Sequence, residues 1–209
     1  MFDKYCNMLY AKVYGVNMIT IRKYQEEDRE KVRDICKDTA KGSFAIKPKK
    51  REAVAMMYID YNIDYEPENA LVAVDENDNV CGYCVYSCDM EKLKNVTNKI
   101  IAKNVAKINP FYALFLKGCV NTSIKLSKEF SGGGFHINID RNHQGQHIGP
   151  MLLQAMAKHL KSKGYKYMYL VTENRKTRGY GFYMHFGFKE ARRCALGTLC
   201  LTYDLSKIE

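Results

Sequence analysis

The hydrophobic pattern is sharpest between Phe135 and Gly164. Phe135, Ile137 and Ile139 point one way and His136, Asn138 and Asp140 the other, which predicts a strand over 135–139. Residues 141–147 hold no good strand former, and Gly145 and Gly149 let the chain turn tightly. From Ile148 the apolar positions follow helical spacing through Met151, Leu152, Ala155, Met156 and Leu160. Pro150 suits the first turn of that helix, and Gly164, after Lys161 and Lys163, is a C-terminal stop.

The same reading places elements upstream. Ile19–Ile21 is a strand, and a helix follows from about Glu26 to Ala40, with the stripe Val32, Ile35, Cys36. After a loop with Pro48, a second helix runs from about Arg51 to Tyr65. Its Met57, Tyr58, Tyr61 and Tyr65 read either as the edge of the core or as the aromatic wall of a pocket. Ala70–Val74 and Val80–Ser87 form a hairpin around the turn Asp75–Asn79. Across about 89–131 the pattern predicts an inserted helical pair. Asn95–Ile108 is helical, Pro110 stops it, and Phe111–Leu116 begins the next helix. That insertion is either a lid or structural decoration. Ser131–Gly134 reads as a flexible entry to the central strand.

Downstream, Tyr165–Thr172 is a strand and Glu173–Arg178 a charged loop. Tyr180–Phe186 is a short helix ended by Gly187, and Phe188–Arg192 with Gly197–Leu205 makes a closing hairpin. Residues 1–17 fit none of this. They read as an extension, apolar enough for a short amphipathic helix, ahead of a single domain at 18–209.

Composition narrows the classes. A 209-residue chain with 46% hydrophobic and 27% charged residues suits one globular domain. No stretch is apolar enough for a membrane span, and the N-terminus lacks a signal-peptide pattern, so a cytoplasmic protein with no membrane partner is expected. The eight cysteines are expected to be reduced. Cys81-x-x-Cys84 lies in a strand, which would send the two thiols to opposite faces, and no second Cys or His pair has zinc spacing, so no metal is expected. The net charge of +10 fits a nucleic-acid binder, a phosphate-rich ligand or plain solubility. The lysines are dispersed and no nucleic-acid motif occurs, which argues against the first.

A glycine-containing turn that feeds a helix presents unpaired N–H groups and favours an anion. Here the turn reads Gln144-Gly145-Gln146-His147-Ile148-Gly149. It resembles the Q/R-x-x-G-x-G/A turn of the GNAT superfamily of N-acetyltransferases, with His147 where that family has glycine. A second string, Gly181-Phe-Tyr-Met-His-Phe-Gly-Phe188, resembles the family's F-Y-x-x-x-G-F signature. The likeness covers about 18–206. The strand and turn are most similar to the branch containing the acetyltransferase-like domain of O-GlcNAcase and its bacterial relatives.

The resemblance implies an α/β fold with a mixed, mostly antiparallel sheet, flanked by helices and splayed where the strand at 135–139 meets that at 165–172. Acetyl-CoA would lie in the splay, its pantetheine arm against the backbone of Ile137, Asn138 and Ile139. The N–H groups of Gln146, His147, Ile148 and Gly149, in the turn begun by Gln144 and Gly145, would hold its pyrophosphate. Tyr183 would protonate the departing thiolate. The attacking amine needs a proton acceptor, for which His136 is the first candidate and Glu173 the second. The family often has an asparagine seven residues before the tyrosine. Lys176 stands there, and Asn174 is the nearest asparagine, so either would meet the pantetheine. The implied activity is acetyl transfer to a primary amine, on a small molecule or a peptide, from a possible homodimer. The alternative is a catalytically silent CoA-binding or interaction module.

Overall fold

The computed structural model describes residues 18–40, 47–172, 175–194 and 197–208. The extension at 1–17 lies outside them. Strand β1 is Thr20–Lys23. A 3-10 turn, Glu26–Asp28, then leads into helix α1, Arg29–Asp38. Helices α2, Pro48–Tyr58, and α3, Asp60–Tyr65, replace the single helix expected from about Arg51. Pro48 starts α2, where its missing N–H costs nothing, and Ile59 breaks the run with φ −132°. Strands β2, Ala70–Val74, and β3, Val80–Tyr86, form the expected hairpin.

The inserted helices run beyond the stretches 95–108 and 111–116 that the sequence pattern marks. Helix α4, Met90–Val96, passes through a π turn at Thr97–Ile101 into α5, Ala102–Ile108. Helix α6 spans Pro110–Phe130. Pro110 therefore ends one helix and begins the next, with the Asn109 side chain capping the Phe111 N–H. Strand β4 is Gly132–Ile139, α7 Ile148–Ser162, β5 Tyr167–Thr172, α8 Arg178–Phe186, β6 Lys189–Arg193 and β7 Leu199–Asp204.

The seven strands form one sheet in the order β1-β2-β3-β4-β5-β7-β6. Every pairing is antiparallel except β4 with β5. One face carries α7, whose Ile148, Leu152, Met156 and Leu160 pack on Leu71, Cys84, Tyr86, Met168 and Leu201. The other face, with Val72, Val74, Tyr83 and Val85, is covered by Val32 and Ile35 of α1 and by Val54, Ile59 and Ile63 of α2 to α3. The inserted helices pack on α2 and α3 through Ala53, Tyr61, Val105 and Leu116. The far end of α6 reaches β5 and β7, where Leu126 meets Tyr169 and Cys200. The insertion thus bridges from α2 to β5.

Two local expectations need correction. The glycines before Phe135 are strand, since Gly132, Gly133 and Gly134 pair with Tyr167, Met168 and Tyr169. A Cβ on Gly134 would stand 3.1 Å from the Tyr169 ring, so glycine permits that close approach. The cysteines of the C-x-x-C do not part to opposite faces. The β2–β3 register slips between Ala73 and Val74, leaving Cys81 without a partner, and Cys81 joins Cys84 in one apolar cluster. Among the described residues no helix is long and apolar enough to cross a membrane.

Candidate functional site

The parallel pairing of β4 with β5 stops at Gly134 and Tyr169. Beyond it, among the described residues, Phe135 to Ile139 pair with Tyr86 to Gly82 on β3 and with no strand on the other side. The sheet opens there, as expected, and the opening exposes one backbone edge through Ile137, Asn138 and Ile139.

At the end of that edge the chain turns into α7. Gly145 has φ +87° and His147, the residue before the helix, φ +59°. This left-handed backbone is the reason glycine suits position 147, and histidine tolerates it better than a branched residue would. The N–H groups of Gln144, Gly145, Gln146, His147, Ile148 and Gly149 find no acceptor among the described residues. Pro150 contributes no N–H, and the next, from Met151, bonds to the His147 carbonyl at 3.4 Å. The turn is therefore a set of free donors at the positive end of a 15-residue helix, where an anionic group is favoured.

Tyr183 comes from α8, which Gly187 ends at φ +111°. Its ring stands edge-on to Phe135, 6.1 Å between centroids, and edge-on to Phe188 at 5.5 Å. Burial pushes its pKa well up, so the phenol is protonated at neutral pH. Among the described residues its hydroxyl has no hydrogen-bond partner. Tyr183 thus meets the α7 side of the opening.

His136 faces the other side of the sheet. Its ring stacks on Tyr58 at 4.9 Å, and Nδ1 lies 3.1 Å from the Tyr83 hydroxyl. The Asn138 amide donates to the same hydroxyl at 3.0 Å. Burial pushes the His136 pKa down to about 4, so the imidazole is neutral. Tyr83 and Tyr58 were not singled out as partners of His136. Alternation could have placed Tyr83 beside His136, but only the β3–β4 register and the packing of α2 bring the three rings together.

Glu173 and Asn174 lie outside the described residues. Lys176 stands in the turn before α8. The neighbouring Arg175 is paired with Glu190 at 2.5 Å, and Tyr180 donates to the same carboxylate at 2.7 Å. Among the described residues no three His, Cys, Asp or Glu side chains gather as a metal site would require.

Solved structures repeat this architecture. SsHAT has a TM-score of 0.75 and 20% identity, over 90% of this chain and 98% of its own. The PaiA N-acetyltransferase of Thermoplasma acidophilum, solved with coenzyme A, has a TM-score of 0.59 and 15% identity, over 90% and 99%. An agmatine N-acetyltransferase mutant in its apo form has a TM-score of 0.58 and 12% identity, over 89% and 99%. At such identities the likeness is one of fold. No curated protein matches the chain by sequence. Residues 29–188 match the acetyltransferase (GNAT) family, which spans both the turn and Tyr183, and the chain is a member of that family.

Proposed function

We propose that the protein transfers the acetyl group of acetyl-CoA to a primary amine by direct attack in a ternary complex. The observation that carries this reading is the row of unpaired N–H groups from Gln144 to Gly149 beside the free edge of β4. The pyrophosphate binds the turn and the pantetheine lies along Ile137–Ile139, with Asn174 or Lys176 as its candidate hydrogen-bond partner. The amine nitrogen attacks the thioester carbon, the C–N bond forms and the C–S bond breaks. Tyr183 gives its proton to the departing sulfur. Glu173, or water, takes the proton of the new ammonium. Backbone N–H groups of β4 face the carbonyl oxygen, and much of the rate comes from holding amine and thioester together. The agmatine enzyme of similar fold acts on an amine, which supports that acceptor class. Cytoplasmic acetyl-CoA is the natural supply.

Isothermal titration with acetyl-CoA and with free CoA tests the site. Micromolar binding of both is expected, followed by thiol release when amines are screened. Binding without release for any amine favours a silent CoA-binding module. No binding of either ligand removes the reading.

A further inference from the structure

The Tyr83 hydroxyl decides which nitrogen of His136 carries the proton. Tyr83 is fully buried, with its oxygen 3.1 Å from Nδ1 of His136 and 3.0 Å from Nδ2 of Asn138. A phenol has one proton to give and lone pairs to receive. Asn138 supplies a proton to the oxygen. The hydroxyl's own proton needs an acceptor, and among the described residues two groups stand beside it. One is the Cys36 thiol, a weak acceptor; the other is the imidazole nitrogen, a strong one. Leaving a buried hydroxyl without a strong acceptor costs about 1–3 kcal/mol. The chain of donation therefore runs from Asn138 to Tyr83 to Nδ1 of His136, each bond polarising the next. The His136 proton then sits on Nε2.

Nδ1 is turned toward the Tyr83 hydroxyl, which also bonds Asn138 two residues along β4. Nε2 points away from Nδ1 and has no hydrogen-bond partner among the described residues. His136 itself stands two residues past Gly134, where the pairing of β4 with β5 stops. Tyr58 stacks on one face of the ring.

We propose that His136 is a neutral hydrogen-bond donor, its proton fixed on Nε2 by Tyr83, and that it holds the carbonyl oxygen of the acetyl group in the opening beside β4. This rests on the acetyl-transfer reading above and takes His136 out of the role of proton acceptor. A nitrogen that already carries a proton cannot accept the one lost by the amine. His136 is then a catalytic residue, and Tyr83 a positioning residue that acts through it.

The tautomer can be read without turnover, from the imidazole nitrogen-15 resonances of the uniformly labelled protein at neutral pH. The His136 signals are those lost in His136→Gln. A protonated Nε2 with an unprotonated Nδ1 is expected. The opposite tautomer, or an equal mixture, overturns the proposal even in an active enzyme. Tyr83→Phe should abolish the preference and lower kcat about tenfold while leaving the KM for acetyl-CoA unchanged. The second arm compares two side chains. His136→Gln keeps an N–H near the place of Nε2 and should stay within about tenfold of the parent kcat, whereas His136→Ala should lose roughly 100-fold. Equal loss in both variants is the signature of a base and overturns the donor role. If the parent protein shows no acetyl transfer with any amine, the function reading fails by itself and the tautomer still decides the hydrogen-bond assignment.

Discussion

The ring of Phe182 occupies the space that a side chain on Gly149 would need. A Cβ at Gly149 would stand 2.9 Å from Cζ and 3.2 Å from Cε2 of Phe182. Gly149 is the second residue of α7 and Phe182 adjoins Tyr183 on α8, so one contact ties the turn to the phenol. Gly149→Ala should force the two helices apart and cost about 1–3 kcal/mol of stability. The KM for acetyl-CoA should rise and kcat should fall together, since both the donor turn and Tyr183 move. Unaltered kinetics and melting would mean that the Phe182 ring rotates aside freely.

Tyr183 is buried and protonated, with its ring edge-on to Phe135. Tyr183→Phe keeps the ring packing and removes only the hydroxyl group. Its kcat should drop by about 10²–10⁴, the range of general acid catalysis, with the titrated affinity for CoA changed less than threefold. Retention of the parent kcat at every pH would remove Tyr183 as the acid.

Stability should also respond to pH through His136. Its pKa is about 4 in the fold, against about 6.5 in an unfolded chain. As pH falls below 6.5 the unfolded chain takes up this proton and the folded one does not. The stabilisation is therefore complete above pH 6.5 and is lost toward pH 4, at up to about 1.4 kcal/mol per pH unit. Carboxylates titrate in the same window, so the comparison is with His136→Gln. Urea unfolding followed from neutral to acid pH should show a shallower loss for the variant. Parallel curves would place His136 in water.

Glu66 is buried, and four groups donate to its carboxylate. They are the Tyr61 hydroxyl, the Asn69 amide at 2.9 Å, and the N–H groups of Cys88 at 2.7 Å and Asp89 at 3.0 Å. These bonds fasten the end of α3 to the start of the inserted helices. Glutamine would set an N–H₂ group against two of the four donors. Glu66→Gln should cost about 2–3 kcal/mol, lowering the melting temperature by roughly 4–10 °C in a chain of this size. A drop of less than about 2 °C would show that water reaches this cluster.

Much of the architecture was legible because it is written in local periodicity. The alternation at 135–139, the helical spacing after Ile148 and the turn chemistry of Asp75–Asn79 each arise within a few residues of their cause. Elements whose limits depend on distant partners read less well. The length of α6 was hidden because its Ser123 carbonyl and Leu126 are held by Tyr169, 46 residues from Ser123. The break at Ile59 and the slip at Cys81 are likewise products of packing between segments.

For the site, the sequence by itself determined the chemistry available: glycines and free N–H groups at a helix start, a phenol at 183, an imidazole at 136. Those are properties of residue type and short spacing. The tertiary structure alone decided how they are used. It parted β4 from β5, set Tyr183 and His136 on opposite faces of the sheet, and closed Tyr58 and Tyr83 around the imidazole. The physical reason is that hydrogen-bond direction and burial come from groups far apart in the chain, and in His136 they set both the charge and the place of its proton.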